Sequence, residues 1–104
     1  MRQEEIIENL KKIKPKYEEE GVILLGLFGS HARGEASPSS DIDILYDVNA
    51  SKFCSLYPGF RAFSRLESIK QELSAIFSSP IDLATVDNDS KTFKKYALKD
   101  VIYV

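Results

Sequence analysis

Three observations predict an α/β (α+β) fold, a small mixed sheet flanked by helices. Val22-Ile23-Leu24-Leu25-Gly26-Leu27-Phe28 is an almost unbroken apolar run of the length of a strand covered on both faces. Two longer stretches carry apolar residues near every 3.6 positions: Ile6, Ile7, Leu10, Ile13 and Tyr17 in one, and Phe63, Leu66, Ile69, Leu73, Ile76 and Phe77 in the other. Further short strand-like segments, Asp41 to Val48 and Ile81 to Val86, fall between helical patterns, the order expected of mixed α and β layers.

The first helix spans residue 3 to about residue 19, with Pro15 expected to end or kink it near Lys14. The acidic run Glu18-Glu19-Glu20 reads as its solvated end and Gly21 as its cap. After the apolar strand, Gly29-Ser30 turns into a short helical His31-Ala32-Arg33, and Gly34 to Ser40 reads as loop. Asn49, Ala50 and Ser51 follow the second strand as a turn containing an N-cap, and Pro58-Gly59 marks another turn. The second long helix runs from Phe60 to Phe77 and stops at Ser78-Ser79-Pro80. Ser90 is read as the cap of a last helix toward Val104, packed through Phe93, Tyr96, Ala97, Val101 and Ile102.

At 104 residues the chain is long enough for one domain, residues 1–104, that buries roughly 60–70% of its unfolded surface. Its net charge of −2 argues against nucleic acid as a direct ligand, which calls for clustered Lys and Arg. The apolar run Val22 to Phe28 is too short to span a membrane, and the first residues, Met-Arg-Gln-Glu-Glu, lack the apolar stretch of a signal peptide. The expected compartment is the cytoplasm. A single cysteine, Cys54, excludes an intramolecular disulfide and a Cys-rich zinc site, and its apolar neighbourhood predicts a buried structural thiol.

Chemistry concentrates between residues 28 and 45. Gly29-Ser30 at the end of an apolar strand can bring backbone N–H groups, and the Ser30 hydroxyl, to a phosphate. Arg33, one turn on, suits bidentate phosphate pairing, and Ser40 with Ser39 orders the loop before the next strand. Asp41 and Asp43, two apart on a strand, point to one face. Asp82, set between Ile81 and Leu83, points away from their apolar face, and an aspartate in an apolar strand is costly unless paired or metal-bound. Three carboxylates with a phosphate cradle suit Mg²⁺, two ions, handling a nucleoside triphosphate. His31 is read as a surface loop histidine.

These residues resemble the signature of the polymerase β-type nucleotidyltransferase superfamily. The string Gly29-Ser30-x-Ala32-Arg33-Gly34 with Ser40-Asp41-Ile42-Asp43-Ile44-Leu45 is similar to its minimal nucleotidyltransferase branch. Ile81-Asp82-Leu83 matches the third carboxylate, and Leu98 to Val104 resembles a closing helix. The resemblance implies a palm fold, Mg²⁺ and ATP, with Gly29, Ser30, Arg33 and Ser40 toward the nucleotide. It implies Asp41, Asp43 and Asp82 as metal ligands, Asp82 also helping to activate the acceptor hydroxyl. It further implies a helical HEPN-type protein partner in a toxin–antitoxin module, to which the chain, as antitoxin, transfers AMP in a homo- or hetero-oligomer. The lack of an acceptor-binding second domain points to such a partner, and the apolar Val101-Ile102-Tyr103-Val104 is a candidate interface. Competing readings are a silent module that neutralises a partner by occlusion and a transferase for small molecules such as antibiotics.

Overall fold

The computed structural model describes residues 2–37, 39–85 and 98–104. The element order is α1 (Gln3–Glu18), β1 (Val22–Phe28), α2 (Gly29–Arg33), β2 (Ile42–Val48), α3 (Ala50–Leu56), α4 (Phe60–Phe77), β3 (Ile81–Thr85), a 3-10 turn (Leu98–Asp100) and β4 (Ile102–Tyr103). The four strands form one mixed sheet in the order β3-β2-β1-β4. β2 runs antiparallel to β1 and parallel to β3, and β4 runs antiparallel to β1. Among the described residues no helix is long and apolar enough to cross a membrane.

One sheet face carries the core. Ile42, Ile44 and Tyr46 alternate along β2, Val22 and Leu24 oppose Val48 and Tyr46 from β1, and Ile81 sits beside Ile42 from β3. A bulge between Leu24 and Gly26 resets the alternation, so that Leu27, opposite Ile44, returns to the same face. Ile6, Leu10 and Tyr17 of α1 and Ile69, Leu73 and Phe77 of α4 close over this surface, all at most 1% exposed. The opposite face carries Asp43, Leu45 and Phe28, set by the same alternation.

Several expectations need correcting. Pro15 does not stop α1, which continues to Glu18. Proline removes one N–H, but Tyr17 is fully buried and its hydroxyl donates to Glu72 Oε1 at 2.9 Å, which fixes the last turn. Glu19 is the C-cap, and Gly21 turns the chain two residues later. Glu20 is no solvated terminus. Arg65 forks onto it from Nε (2.7 Å) and Nη2 (2.8 Å), Tyr57 donates to the same carboxylate, and Arg65 Nη1 reaches Glu72 Oε2 at 2.6 Å. α1, α3 and α4 are thereby tied by one ion-pair network. The apolar stripe of α4 is narrower than its sequence period, because Phe63 and Ile76 are 69% and 40% exposed. β2 begins at Ile42, leaving Asp41 just outside it. Asn49 caps α3, accepting from Lys52 N–H at 3.2 Å. Phe53 takes the inward position on that helix, and its neighbour Cys54 is exposed rather than buried.

The chain also ends differently. Val101 to Val104 is a strand end, not a helix: Ile102 and Tyr103 pair with Leu27 and Gly26, and Val104 N–H donates to Leu25 C=O at 2.9 Å. A Cβ at Gly26 would overlap the Ile102 carbonyl, so this edge pairing needs glycine there. Val101, Ile102 and Val104 are half-buried and only Tyr103 is exposed, so the apolar tail serves mainly this sheet. The expected cap Ser90 and the packing residues Phe93, Tyr96 and Ala97 lie outside the described residues, as does Val86.

Arg65→Met should lower stability at pH 7 by about 2 kcal/mol in urea denaturation, because it strands two half-buried carboxylates. Hydrogen bonds from Arg65 hold Glu20 below its ordinary 4.5, so this contribution is present above that pH and lost as pH falls through the lowered value. The acid side of the stability curve should flatten in the variant.

Candidate functional site

Strand register gathers the acidic residues. In the parallel β2–β3 pair, Asp43 is the direct partner of Asp82, and on its other side Asp43 faces Phe28, the last residue of β1. The chain then turns at Gly29 into α2. Gly29 has φ of +74°, and a Cβ built there would fall on the Asp43 carboxylate. Gly29 therefore lets backbone and carboxylate touch. Asp41 is exposed at the mouth of β2, while Ile42 N–H is anchored on Pro80 C=O at 2.9 Å.

The cost of burial falls on Asp43, which is half-buried, and not on Asp82, which is exposed. β2 is interior and β3 flanks it, so the sheet shields the first carboxylate more. Burial pushes Asp43 up to about 6, helped by the charges of Asp82 and Asp41 and a hydrogen bond with Asp82, with Arg33 opposing. Among the described residues no three His, Cys, Asp or Glu side chains are grouped so as to hold a metal ion together. Asp43 and Asp82 form an open pair with Asp41 at its edge. Hard oxygen donors of like charge, crowded enough to raise one pKa, fit a hard divalent cation that keeps water or phosphate oxygens as its other ligands.

The expected nucleotide residues surround this pair unevenly. Ser30 is half-buried in the first turn of α2, whose N-cap residue, Phe28, has no side-chain group to cap it. Arg33 lies within the electrostatic reach of Asp43 and donates from Nε to Glu35 Oε2 at 3.0 Å. Ser40 bonds within the loop: its Oγ accepts from Ser37 N–H at 2.9 Å and so shapes the loop. His31 belongs to α2 rather than a surface loop, and its Nε2 is buried without a hydrogen bond among the described residues. Three residues were not foreseen. Gln3 pins α2 by donating to the His31 and Ala32 carbonyls at 2.9 and 3.0 Å. Glu67 and Lys70 of α4 line both the groove holding Asp41 and the cleft holding Asp82. Their i, i+3 spacing toward the sheet was visible, but the nearness of α4 to β3 was not.

Residues 8–104 match the family described as polymerase beta, nucleotidyltransferase. The chain belongs to the polymerase β nucleotidyltransferase family. Within this nucleotidyltransferase family its relatives are protein adenylyltransferases. It is 34% identical over 84 residues to protein adenylyltransferase MntA of Thermococcus cleftensis, covering 81% of this chain and 76% of that one. It is 37% identical over 102 residues to a candidate protein adenylyltransferase of Methanocaldococcus jannaschii, covering 96% and 92%. In three dimensions it resembles a candidate minimal nucleotidyltransferase, with a TM-score of 0.72, 21% identity and 100% and 97% of the two chains covered. It also resembles a chain of a toxin–antitoxin crystal structure with AMP-PNP, with a TM-score of 0.61, 23% identity and coverage of 99% and 72%. These two likenesses bear out the nucleotidyltransferase fold expected from the sequence.

Gly29→Ala should destabilise this nucleotidyltransferase by about 2–4 kcal/mol in urea, combining positive φ with displacement of Asp43. In an Asp43→Ala background that cost should fall by at least half, the signature of direct coupling. A carboxyl raised from 3.8 to about 6 keeps a proton on folding, so stability should fall as pH rises from 4 past 6. Asp43→Asn should remove that slope and raise the melting temperature at pH 7 by a few degrees, about 1 kcal/mol.

Proposed function

We propose that this chain is a cytoplasmic, Mg²⁺-dependent transferase that moves AMP from ATP to a partner protein, a helical HEPN-type toxin that it neutralises as antitoxin. The observation that carries the reading is the in-register pair Asp43–Asp82 beside Gly29, with Asp41 at its edge. The adenylyltransferase relatives support AMP as the transferred group, and the toxin–antitoxin neighbour with AMP-PNP supports both the nucleotide and the partner.

Asp41, Asp43 and Asp82 would hold Mg²⁺, which neutralises triphosphate charge and supplies Lewis acidity at the reacting phosphorus. Gly29 gives the phosphates close access to backbone, and Ser30 with the first-turn amides of α2 supplies hydrogen-bond donors. Arg33 exchanges Glu35 for a phosphate oxygen, and Ser40 holds the loop above them. The acceptor hydroxyl oxygen bonds to the α-phosphorus as the bond to the pyrophosphate oxygen breaks. Its proton passes to Asp82, whose exposure lets a macromolecular acceptor reach it.

With the protein encoded by the adjoining gene and labelled ATP, labelling of that partner should require Mg²⁺ and release pyrophosphate. Asp43→Asn should lower it at least about 100-fold, and Ser30→Ala by on the order of 10²-fold as loss of one transition-state donor. Mg²⁺ should raise the melting temperature of the unsubstituted chain and leave that of Asp43→Asn unchanged. Neutralisation of the partner by Asp43→Asn at full strength, without labelling, would establish occlusion instead of transfer.

A further inference from the structure

The N-terminal end of α4 presents aromatic surface with no use in the core. Phe60 is 93% exposed, Phe63 69% and the nearby Leu56 52%. Gly59, Phe60 and Phe63 line one apolar hollow. Phe63 also lines a second cleft, of about 170 Å³, whose walls are Leu66, Glu67 and Lys70 of α4 with Tyr46, Leu83 and Asp82 of the sheet. The two depressions share Phe63, and Asp82, the proposed proton acceptor, is among the residues that line the second.

We infer that this cleft is the acceptor subsite, taking one hydroxyl-bearing side chain of the partner protein while an adjoining apolar residue of the partner seats on Phe60 and Phe63. The inference rests on the transferase reading and adds to it the surface that selects the acceptor. A volume of about 170 Å³ lies below the roughly 300–1,000 Å³ of sites for drug-sized ligands. It is suited to a single side chain and too small for a nucleotide. Exposed aromatics beside a narrow polar cleft are the usual anchors of protein recognition. Lys70 forms no ion pair among the described residues and lines the Asp41 groove as well, so it offers its charge both to the acceptor backbone and to the phosphates. Glu67 and Asp82 in the same cleft disfavour an anionic lipid surface as the occupant. In the seated complex the acceptor oxygen bonds the α-phosphorus, pyrophosphate leaves, and the hydroxyl proton goes to Asp82.

The test uses the full chain, ATP and the partner protein labelled in the preceding experiment. Phe60→Ser/Phe63→Ser should raise the KM for the partner at least ten-fold, leaving the melting temperature and the affinity for AMP-PNP unchanged. Phe63→Leu, which keeps an apolar anchor, should restore most of the loss. Labelling by the double variant at the unsubstituted KM overturns the inference and leaves the transferase reading standing. Loss of a dimer in that variant with labelling intact overturns it in favour of self-association. Absence of labelling by the unsubstituted chain overturns both.

Discussion

A carboxylate on an interior strand has to be reachable by a ligand and yet held by the sheet, and Asp43 meets both demands through one neighbour. Gly29 has no side chain, so the turn out of β1 can close directly on the Asp43 carboxylate. That contact places the first turn of α2 against β2, and the β2–β3 register then brings Asp82 alongside. The resulting crowding is unfavourable in itself, since burial and like charge both oppose ionisation of Asp43. The fold tolerates it because the opposite face of the same strand carries fully buried Ile42 and Ile44.

The scaffold supplies rigidity at some distance from this strain. Arg65 links the ends of α1 and α3 to α4 through Glu20, Tyr57 and Glu72. Hydrogen bonds to Glu20 and Glu72 hold the guanidinium charged well above its usual range. Stabilising and destabilising titrations thus belong to separate clusters with opposite pH slopes, the arrangement expected where stability is surrendered locally for a polar site.

Much of this was legible in the sequence where a single period dominates. The apolar run of β1 and the 3.6-residue stripe of α4 gave both elements their observed bounds. Asp43 and Asp82 could be paired because each lies between apolar residues that must face the core. Strand position within the sheet was hidden, which is why burial was assigned to Asp82 although β2 is the interior strand. Val101 to Val104 looked like the end of a helix because nothing local announces the pairing of Tyr103 with Gly26, a residue far back in the chain. Pro15 and Cys54 show tertiary packing overriding local preference. Phe63 and Ile76 fall in the apolar stripe of α4 yet are exposed, because periodicity reports which side a residue occupies and not whether anything covers it.

The contact of Gly29 with Asp43 also changes what the spacing between the two halves of the motif means. It makes Gly29 and Asp43 the pinned ends of an arch whose described middle residues, 34–37, 39 and 40, are irregular chain tied in part by serine hydrogen bonds. Closing such an arch costs entropy that grows only logarithmically with its length, about 0.6 kcal/mol for each doubling. Adding a few residues to the arch is thermodynamically cheap, whereas adding one methyl group at its fastening point is not. The arch tolerates a change in length far better than a change at its clasp.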